Sequence, residues 1–338
     1  MPTIVQSLTR SATRKDNEPL NILTFPTHER YQTNVGETGH NFYMWQAKGI
    51  KPWRLDYSPI PKGHVLLNPA KENNQIPDYV DIDLVLSQNK FGQFQIAEQI
   101  SKQLQCPLIS LEHTLPMESW TKAQLMEMRY MQGHVNLFIS EYSQKKWGWK
   151  EDEADVIHHG VNTELFSPCS KTERKPRVLS VVNDWVQRDW CCGFKLWQQI
   201  TEHPNSKMPL QVWGDTPGLS VATESAEHLI QEYRGSRIFL NTSLISPVPT
   251  SLLEAMACGC AVVTTATCMI PEIVKNGKNG YISNNPTQLR EYVNKLLADE
   301  DLATELGMAA RDTVINNFSL NNFVNKWNEV FIQCTEPK

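Results

Sequence analysis

The chain has 338 residues, too many for one ordinary compact domain and enough for two of about 150. Its 40% hydrophobic and 20% charged content is that of a globular protein, and a net charge of −5 argues against a nucleic-acid binder, which carries a basic stripe. No run approaches the roughly 18 apolar residues of a membrane span. Residues up to Pro19 are polar, carry Arg10, Arg14 and Lys15 and lack an apolar run, so they read as a loose arm rather than a signal peptide. The eight cysteines show no CxxC pair; Cys191 and Cys192 are adjacent, Cys258 and Cys260 are two apart, and the pattern suits free thiols in a reducing, cytoplasmic setting.

Along the first half, short apolar runs at 21–25, 64–68, 82–87, 108–111, 136–140 and 155–158 read as strands. Between them, 92–104 sets Ala97, Ile100 and Leu104 on one helical face, and 121–131 does the same with Leu125 and Met128. The second half restarts the alternation: strands at 177–182, 210–213, 237–240, 261–264 and 281–282, helices at 193–200, 251–256 and 288–297. Helices at 300–316 and 320–332 finish the chain, and the proline-bracketed polar stretch 166–176 reads as the linker. The class is α/β, with two parallel sheets leaving a cleft between them and ligands expected beyond the carboxyl ends of the strands.

The segment with the clearest chemistry follows the strand at 237–240. A loop rich in Pro and Ser leads to Thr250 and Ser251, which open a helix whose free N–H groups, that of Leu252 included, suit an anion such as a diphosphate. Glu254, one turn in, can accept two hydrogen bonds from a ribose. Gly259 closes the helix.

Three stretches resemble the retaining glycosyltransferases of family 4, the "glycosyl transferases group 1" type with the GT-B fold. LEAMACGCAVV at 253–263 is similar to E-A-M-A-x-G-x-P-V-V, IPEIVKNGKNGY at 270–281 to P-E-I-V-x-x-G-x-N-G, and VIHHGVNTELF at 156–166 to the hinge V-I-P-N-G-V-D-x-x-x-F. The resemblance implies two Rossmann-like domains facing each other across a cleft: an arm at 1–19, an acceptor domain at 20–168, a nucleotide-sugar domain at 169–312, and a C-terminal helix at 313–338 returning to the first domain on Trp327, Val330 and Phe331. It implies transfer of a hexose or N-acetylhexosamine from a nucleoside-diphosphate sugar to a hydroxyl of a glycan, protein or lipid acceptor, with retention. The rival readings are a non-catalytic sugar-nucleotide-binding subunit and a sugar-nucleotide epimerase on the same fold.

Two positions depart from the family. Its two glutamates lie eight positions apart; Glu254 matches the second, the ribose holder, while Ser246 stands at the first, next to the reacting anomeric centre. In the family's G-R-x-x-x-x-K-G loop, the cations grip the diphosphate; here 182–193 reads VNDWVQRDWCCG, with Cys192 for the Lys and Arg188 as the remaining cation. Asn183 and Gly214, ending neighbouring strands, are further donor candidates, since Gly214 allows close backbone approach. Trp185 and Trp190 either stack on the base or sugar or cover the sheet edge.

In the first half, Gly36 and Gly39, ahead of what reads as a helix, form either a phosphate cradle or an ordinary turn, with His40 and Asn41 beside them as acceptor contacts. His113, after the strand at 108, matches the family's histidine near the reacting sugar, or is a structural histidine. Asp81-Ile82-Asp83 spells DxD but precedes its strand, so no metal or other cofactor is expected.

Overall fold

A computed structural model describes residues 18–46, 52–55, 58–68, 75–169, 174–202 and 208–335. The arm expected at 1–19, apart from its last two residues, lies outside them, as does the middle of the expected linker. The chain forms two compact units, residues 1–160 with 321–338, and residues 161–320.

The first unit holds seven strands, β1 (Asn21–Thr24), β2 (Asn41–Trp45), β3 (His64–Leu67), β4 (Leu84–Ser87), β5 (Leu108–Glu112), β6 (Val135–Phe138) and β7 (Asp155–Val156). They pair in parallel in the order β3-β2-β1-β4-β5-β6-β7. An all-parallel sheet needs cover on both faces, and β4 is accordingly buried at every residue. One layer of that cover is the helix Phe94–Leu104, which buries Phe94 and Ala97 beside Leu23, Val85 and Leu108. It starts two residues later than its periodicity predicts, because Gly92 takes φ 76° and holds the chain out of the helix. Thr121 and Gln124 form a reciprocal capping box that starts the helix Lys122–Arg129.

β2 corrects the reading of the first glycine pair. Gly36 ends the helix Glu29–Gly36 instead of preceding one, Gly39 turns the chain at φ 80°, and the strand begins at Asn41. Phe42 and Met44 are completely buried there, alongside β1. A Cβ on Gly36 would lie 2.7 Å from the His64 ring, so packing is what demands glycine.

The second unit holds β8 (Lys175–Val181), β9 (Leu210–Trp213), β10 (Ser236–Asn241), β11 (Ala261–Thr264) and β12 (Tyr281–Ile282), parallel throughout, in the order β12-β11-β10-β8-β9. The order reverses between β8 and β10, so the loops leaving these two strands diverge and open the crevice typical of such sheets. The helix Thr250–Ala257 ends in a Schellman turn: Gly259 N–H donates to the Met256 carbonyl (2.9 Å), Cys260 N–H to the Ala255 carbonyl (3.0 Å), and Gly259 takes φ 76°.

The chain leaves the first unit after Gly160 rather than at the proline-bracketed stretch. Residues 161–168 are fastened to the second unit by two arginines. Arg311 donates to the carbonyls of Thr163 (3.2 Å) and Phe166 (3.1 Å), and Arg234 to those of Leu165 (3.0 Å) and Ser167 (2.8 Å). The helix Glu300–Asn317 stays with the second unit, whereas Leu320–Thr335 buries Phe323, Trp327 and Phe331 within the first, next to Tyr31 and Phe42. Among the described residues no helix is long and apolar enough to cross a membrane.

Candidate nucleotide-binding site

In the second unit the sequence candidates gather on the loops leaving β8, β9 and β10. The first N–H groups of the helix Thr250–Ala257, those of Thr250 and Ser251, have no acceptor among the described residues. These are the donors a helix offers to an anion, reinforced by the positive end of its dipole. Two details differ from expectation. The cap residue is Pro249, not Thr250, and it lends no side-chain bond. Leu252 is completely buried and its N–H already donates to the Pro249 carbonyl (3.2 Å), so it drops out of the anion set.

Glu254 is 7% exposed, and its Oε2 accepts a hydrogen bond from the hydroxyl of Tyr233 (3.1 Å), a completely buried residue of the helix Ala226–Gly235. Tyr233 thus orients the carboxylate, a partnership across 21 residues of sequence that no local pattern announces. Ser246 is half-buried in the loop after β10.

Two glycines hold these loops at contact distance. A Cβ on Gly193 would sit 2.1 Å from the Thr242 carbonyl, and one on Gly214 2.1 Å from the Val182 carbonyl; both take positive φ (65° and 119°). Thr216, completely buried, accepts from the Trp185 N–H (3.0 Å) and donates to the Val182 carbonyl (3.2 Å). Asn183 Oδ1 accepts from the Asp215 N–H (2.9 Å), which makes Asn183 a brace between the loops. Trp185 neither stacks on a ligand nor covers an edge. It is completely buried against Phe194 and Trp197 and donates its indole N–H to the Cys192 carbonyl (2.9 Å). Trp190 is 63% exposed. Arg188 is exposed and makes no ion pair among the described residues, its neighbour Asp189 being paired with Lys195 (3.7 Å).

In the first unit the glycine pair does not make a phosphate cradle. Gly36 and Gly39 follow the carbonyl end of a helix, where the dipole repels anions, and lead into β2 at the amino edge of the sheet. His40 and Asn41 share that edge: His40 Nδ1 accepts from the Leu20 N–H (3.2 Å), and Asn41 donates to Asn21 Oδ1 (3.0 Å). All four leave the donor and acceptor sets. The DxD stretch lies there too, with Asp83 Oδ2 accepting from the Asn21 N–H (2.7 Å).

His113 sits at the carboxyl edge, just past β5. Its ring meets Tyr31 edge-on (4.4 Å between centroids) and lies 6.3 Å from His159, and its Nε2 is covered without a hydrogen-bond partner among the described residues. Burial, aided by the charges of His159 and His28, holds His113 well below the usual histidine range, so it is neutral at pH 7. Glu112, which pattern reading missed, clamps this turn. Its Oε1 accepts from the Thr114 N–H (2.8 Å) and hydroxyl (2.6 Å), and its Oε2 from the Lys90 N–H (2.9 Å).

His159 is 8% exposed, and burial, with the charges of His28 and His158, pushes it down to about 3. Unfolded, it titrates near 6.5. The unfolded chain therefore takes up a proton that the folded chain refuses, and the stability this histidine carries is present above pH 6.5 and lost as pH falls toward 3. Between pH 7 and pH 5 the loss amounts to about 2 kcal/mol. His159→Asn should remove about that much of the acid-induced fall in unfolding free energy, measured by urea titration at the two pH values; an unchanged fall would place the burden on other groups.

Residues 221–313 match the family described as "Glycosyl transferases group 1". The match lies within the second unit. The chain is 32% identical over 155 residues to the alpha-maltose-1-phosphate synthase of Mycolicibacterium smegmatis, covering 43% of this chain and 40% of that one. It is 33% identical over 82 residues to the N-acetyl-alpha-D-glucosaminyl L-malate synthase of Bacillus anthracis, 24% of this chain and 22% of that one. It thus spans less than half the length of these curated relatives. Solved structures match nearly end to end at lower identity. A glycosyltransferase from Rickettsia africae superposes with TM-score 0.67 at 18% identity over 95% of this chain and 100% of its own. HepE of Anabaena, solved in complex with UDP, superposes with TM-score 0.73 at 14% identity over 94% and 100%. These likenesses establish the GT-B type of fold that the family resemblance implied: α/β, with two parallel sheets.

Proposed function

We propose that the chain transfers a sugar from a nucleoside-diphosphate donor to a hydroxyl acceptor. The observation that carries this reading is the opening of the helix Thr250–Ala257: two N–H groups, at Thr250 and Ser251, without an acceptor among the described residues, with the buried carboxylate of Glu254 one turn behind them. A diphosphate fits the first feature and a ribose diol the second. Arg188, exposed and outside any ion pair among the described residues, adds charge for the departing diphosphate. The relatives are named as synthases of two sugar conjugates, alpha-maltose-1-phosphate and N-acetyl-alpha-D-glucosaminyl L-malate, and HepE was solved with UDP, both of which support the donor class.

The acceptor attacks the anomeric carbon from the face the diphosphate leaves, so configuration is retained. The helix dipole and Arg188 serve the leaving group in place of a metal ion, and turnover persists in a chelator. In the first unit, the neutral imidazole of His113 is the proposed sugar contact. The acceptor is a glycan, protein or lipid hydroxyl, and the donor sugar a hexose or N-acetylhexosamine.

A second reading, a sugar-nucleotide-binding subunit without turnover, is favoured by Ser246, which cannot supply the negative charge of the family's first glutamate. An assay of a panel of nucleoside-diphosphate sugars with chelator present, read by proton NMR, separates the two. A glycoside product with the donor's anomeric configuration supports transfer. Binding without product or diphosphate release for every donor supports the subunit, and an altered free donor supports an epimerase.

A further inference from the structure

The proposed donor loop contains a pair of thiols that the sugar chemistry leaves unused. Cys191 and Cys192 end the short helix Asp189–Cys192, with their N–H groups on the Arg188 carbonyl (3.1 and 2.8 Å). Their Sγ atoms lie 3.6 Å apart, well beyond the roughly 2.05 Å of a disulfide. Two bonds of about 2.3 Å, the length of a thiolate–zinc bond, span that separation at an angle of about 100°. One thiophilic atom therefore fits between the sulfurs as they stand. Among the described residues no group of three potential metal ligands gathers, so a tetrahedral ion would lack protein ligands. A monosubstituted trivalent arsenical needs only two, since it carries its own third substituent.

The backbone of the pair also links two loops of the site. The Cys191 carbonyl accepts from the N–H groups of Leu244 (2.8 Å) and Ile245 (3.1 Å), next to Ser246. The Cys192 carbonyl accepts from the Trp185 indole (2.9 Å) and the Thr242 hydroxyl (3.1 Å). The Cys191 thiol is held below the usual thiol range by its hydrogen bond with Cys192 and by the nearby charge of Arg188, against the effect of burial, while the same hydrogen bond and burial push Cys192 up. The pair thus favours the nucleophilic thiolate at Cys191.

We propose that Cys191 and Cys192 form a dithiol site for trivalent arsenicals, and that its occupation disrupts nucleotide binding at the adjoining loops. In the capture step two As–S bonds form, the As–O double bond of an arsine oxide is lost, and the two thiol protons leave with that oxygen as water; arsenic stays trivalent. The substituent on arsenic must be accommodated where Cys191 and Cys192 are only 5% and 9% exposed, which displaces the loop carrying Arg188. The second clause of the proposal rests on the donor reading above; the first does not.

The test treats the full chain with phenylarsine oxide and follows intact mass, peptide mapping and UDP affinity. One arsenical should be gained per chain, mapped to 191–192, removed by 2,3-dimercaptopropanol but not by a monothiol, with UDP affinity at least tenfold weaker while it is bound. Cys191→Ser and Cys192→Ser should each abolish dithiol-specific capture, while Cys258→Ser, in the other close pair, should not. Capture elsewhere, or capture that survives both serine variants, overturns the site. Capture at 191–192 with unchanged UDP affinity overturns the coupling, and failure of the untreated protein to bind UDP counts against the donor reading while leaving capture to be judged on mass alone.

Discussion

Glu254→Ala should weaken binding of UDP or its cognate counterpart by roughly ten- to hundred-fold, while nucleotide-free stability falls as well. Both effects come from the same carboxylate. Charge-assisted hydrogen bonds to a ribose diol contribute about 1.5–3 kcal/mol, which sets the affinity range. The stability loss follows from the Tyr233 hydroxyl, which is completely buried and loses this acceptor 3.1 Å away. The cost of removing a buried acceptor is about 1–3 kcal/mol. Glu254→Gln separates the two effects, because an amide oxygen still accepts from Tyr233 but carries no charge. Calorimetric titration should show the glutamine variant near wild-type in unfolding free energy and intermediate in affinity. Wild-type affinity in both variants would remove Glu254 from the site.

Arg188→Ala should lower kcat/KM for the donor on the order of 10²-fold, the scale seen when one group stabilising a departing oxyanion is removed. Arg188 is exposed, so its contribution is screened and the deficit should shrink at high salt. Arg188→Lys restores a point charge without the planar fork and should recover only part of the loss. The comparison that matters is between ligands: the substitution should affect nucleoside diphosphates strongly and free nucleosides hardly at all. A loss shared equally by a nucleoside would mean that Arg188 supports the loop rather than the phosphates.

Local signals in the sequence account for much of the fold. The apolar runs that became β4 and β11 are buried at every residue, and Gly259 ends its helix with the left-handed turn that glycine at that position implies. The misread stretch, 36–42, fails for a non-local reason. Glycine spacing there looks like a phosphate cradle, yet the strand that follows is fixed by pairing with β1 and by burial of Phe42 and Met44, neither of which leaves a local pattern. The same holds for Trp185, whose place in the core depends on Phe194 and Trp197 folding back over it. In the candidate site, Thr250, Glu254, Gly193 and Gly214 could be singled out because each chemical type is tied to a strand end or helix start. Their supports could not. Tyr233, Thr216 and Glu112 act through hydrogen bonds spanning 21, 31 and 22 residues, and such partners become visible only when the sheet has set the distances.

The most direct measurement of the central assignment is a calorimetric series of nucleoside, nucleoside monophosphate and nucleoside diphosphate on the full chain, in chelator, using the base preferred in the donor panel. A diphosphate held by the Thr250 and Ser251 N–H groups and Arg188 should bind at least tenfold more tightly than the monophosphate, and the monophosphate more tightly than the nucleoside, with the diphosphate advantage lost in Arg188→Ala. Equal affinity across the series, or a diphosphate advantage untouched by that substitution, would contradict the assignment.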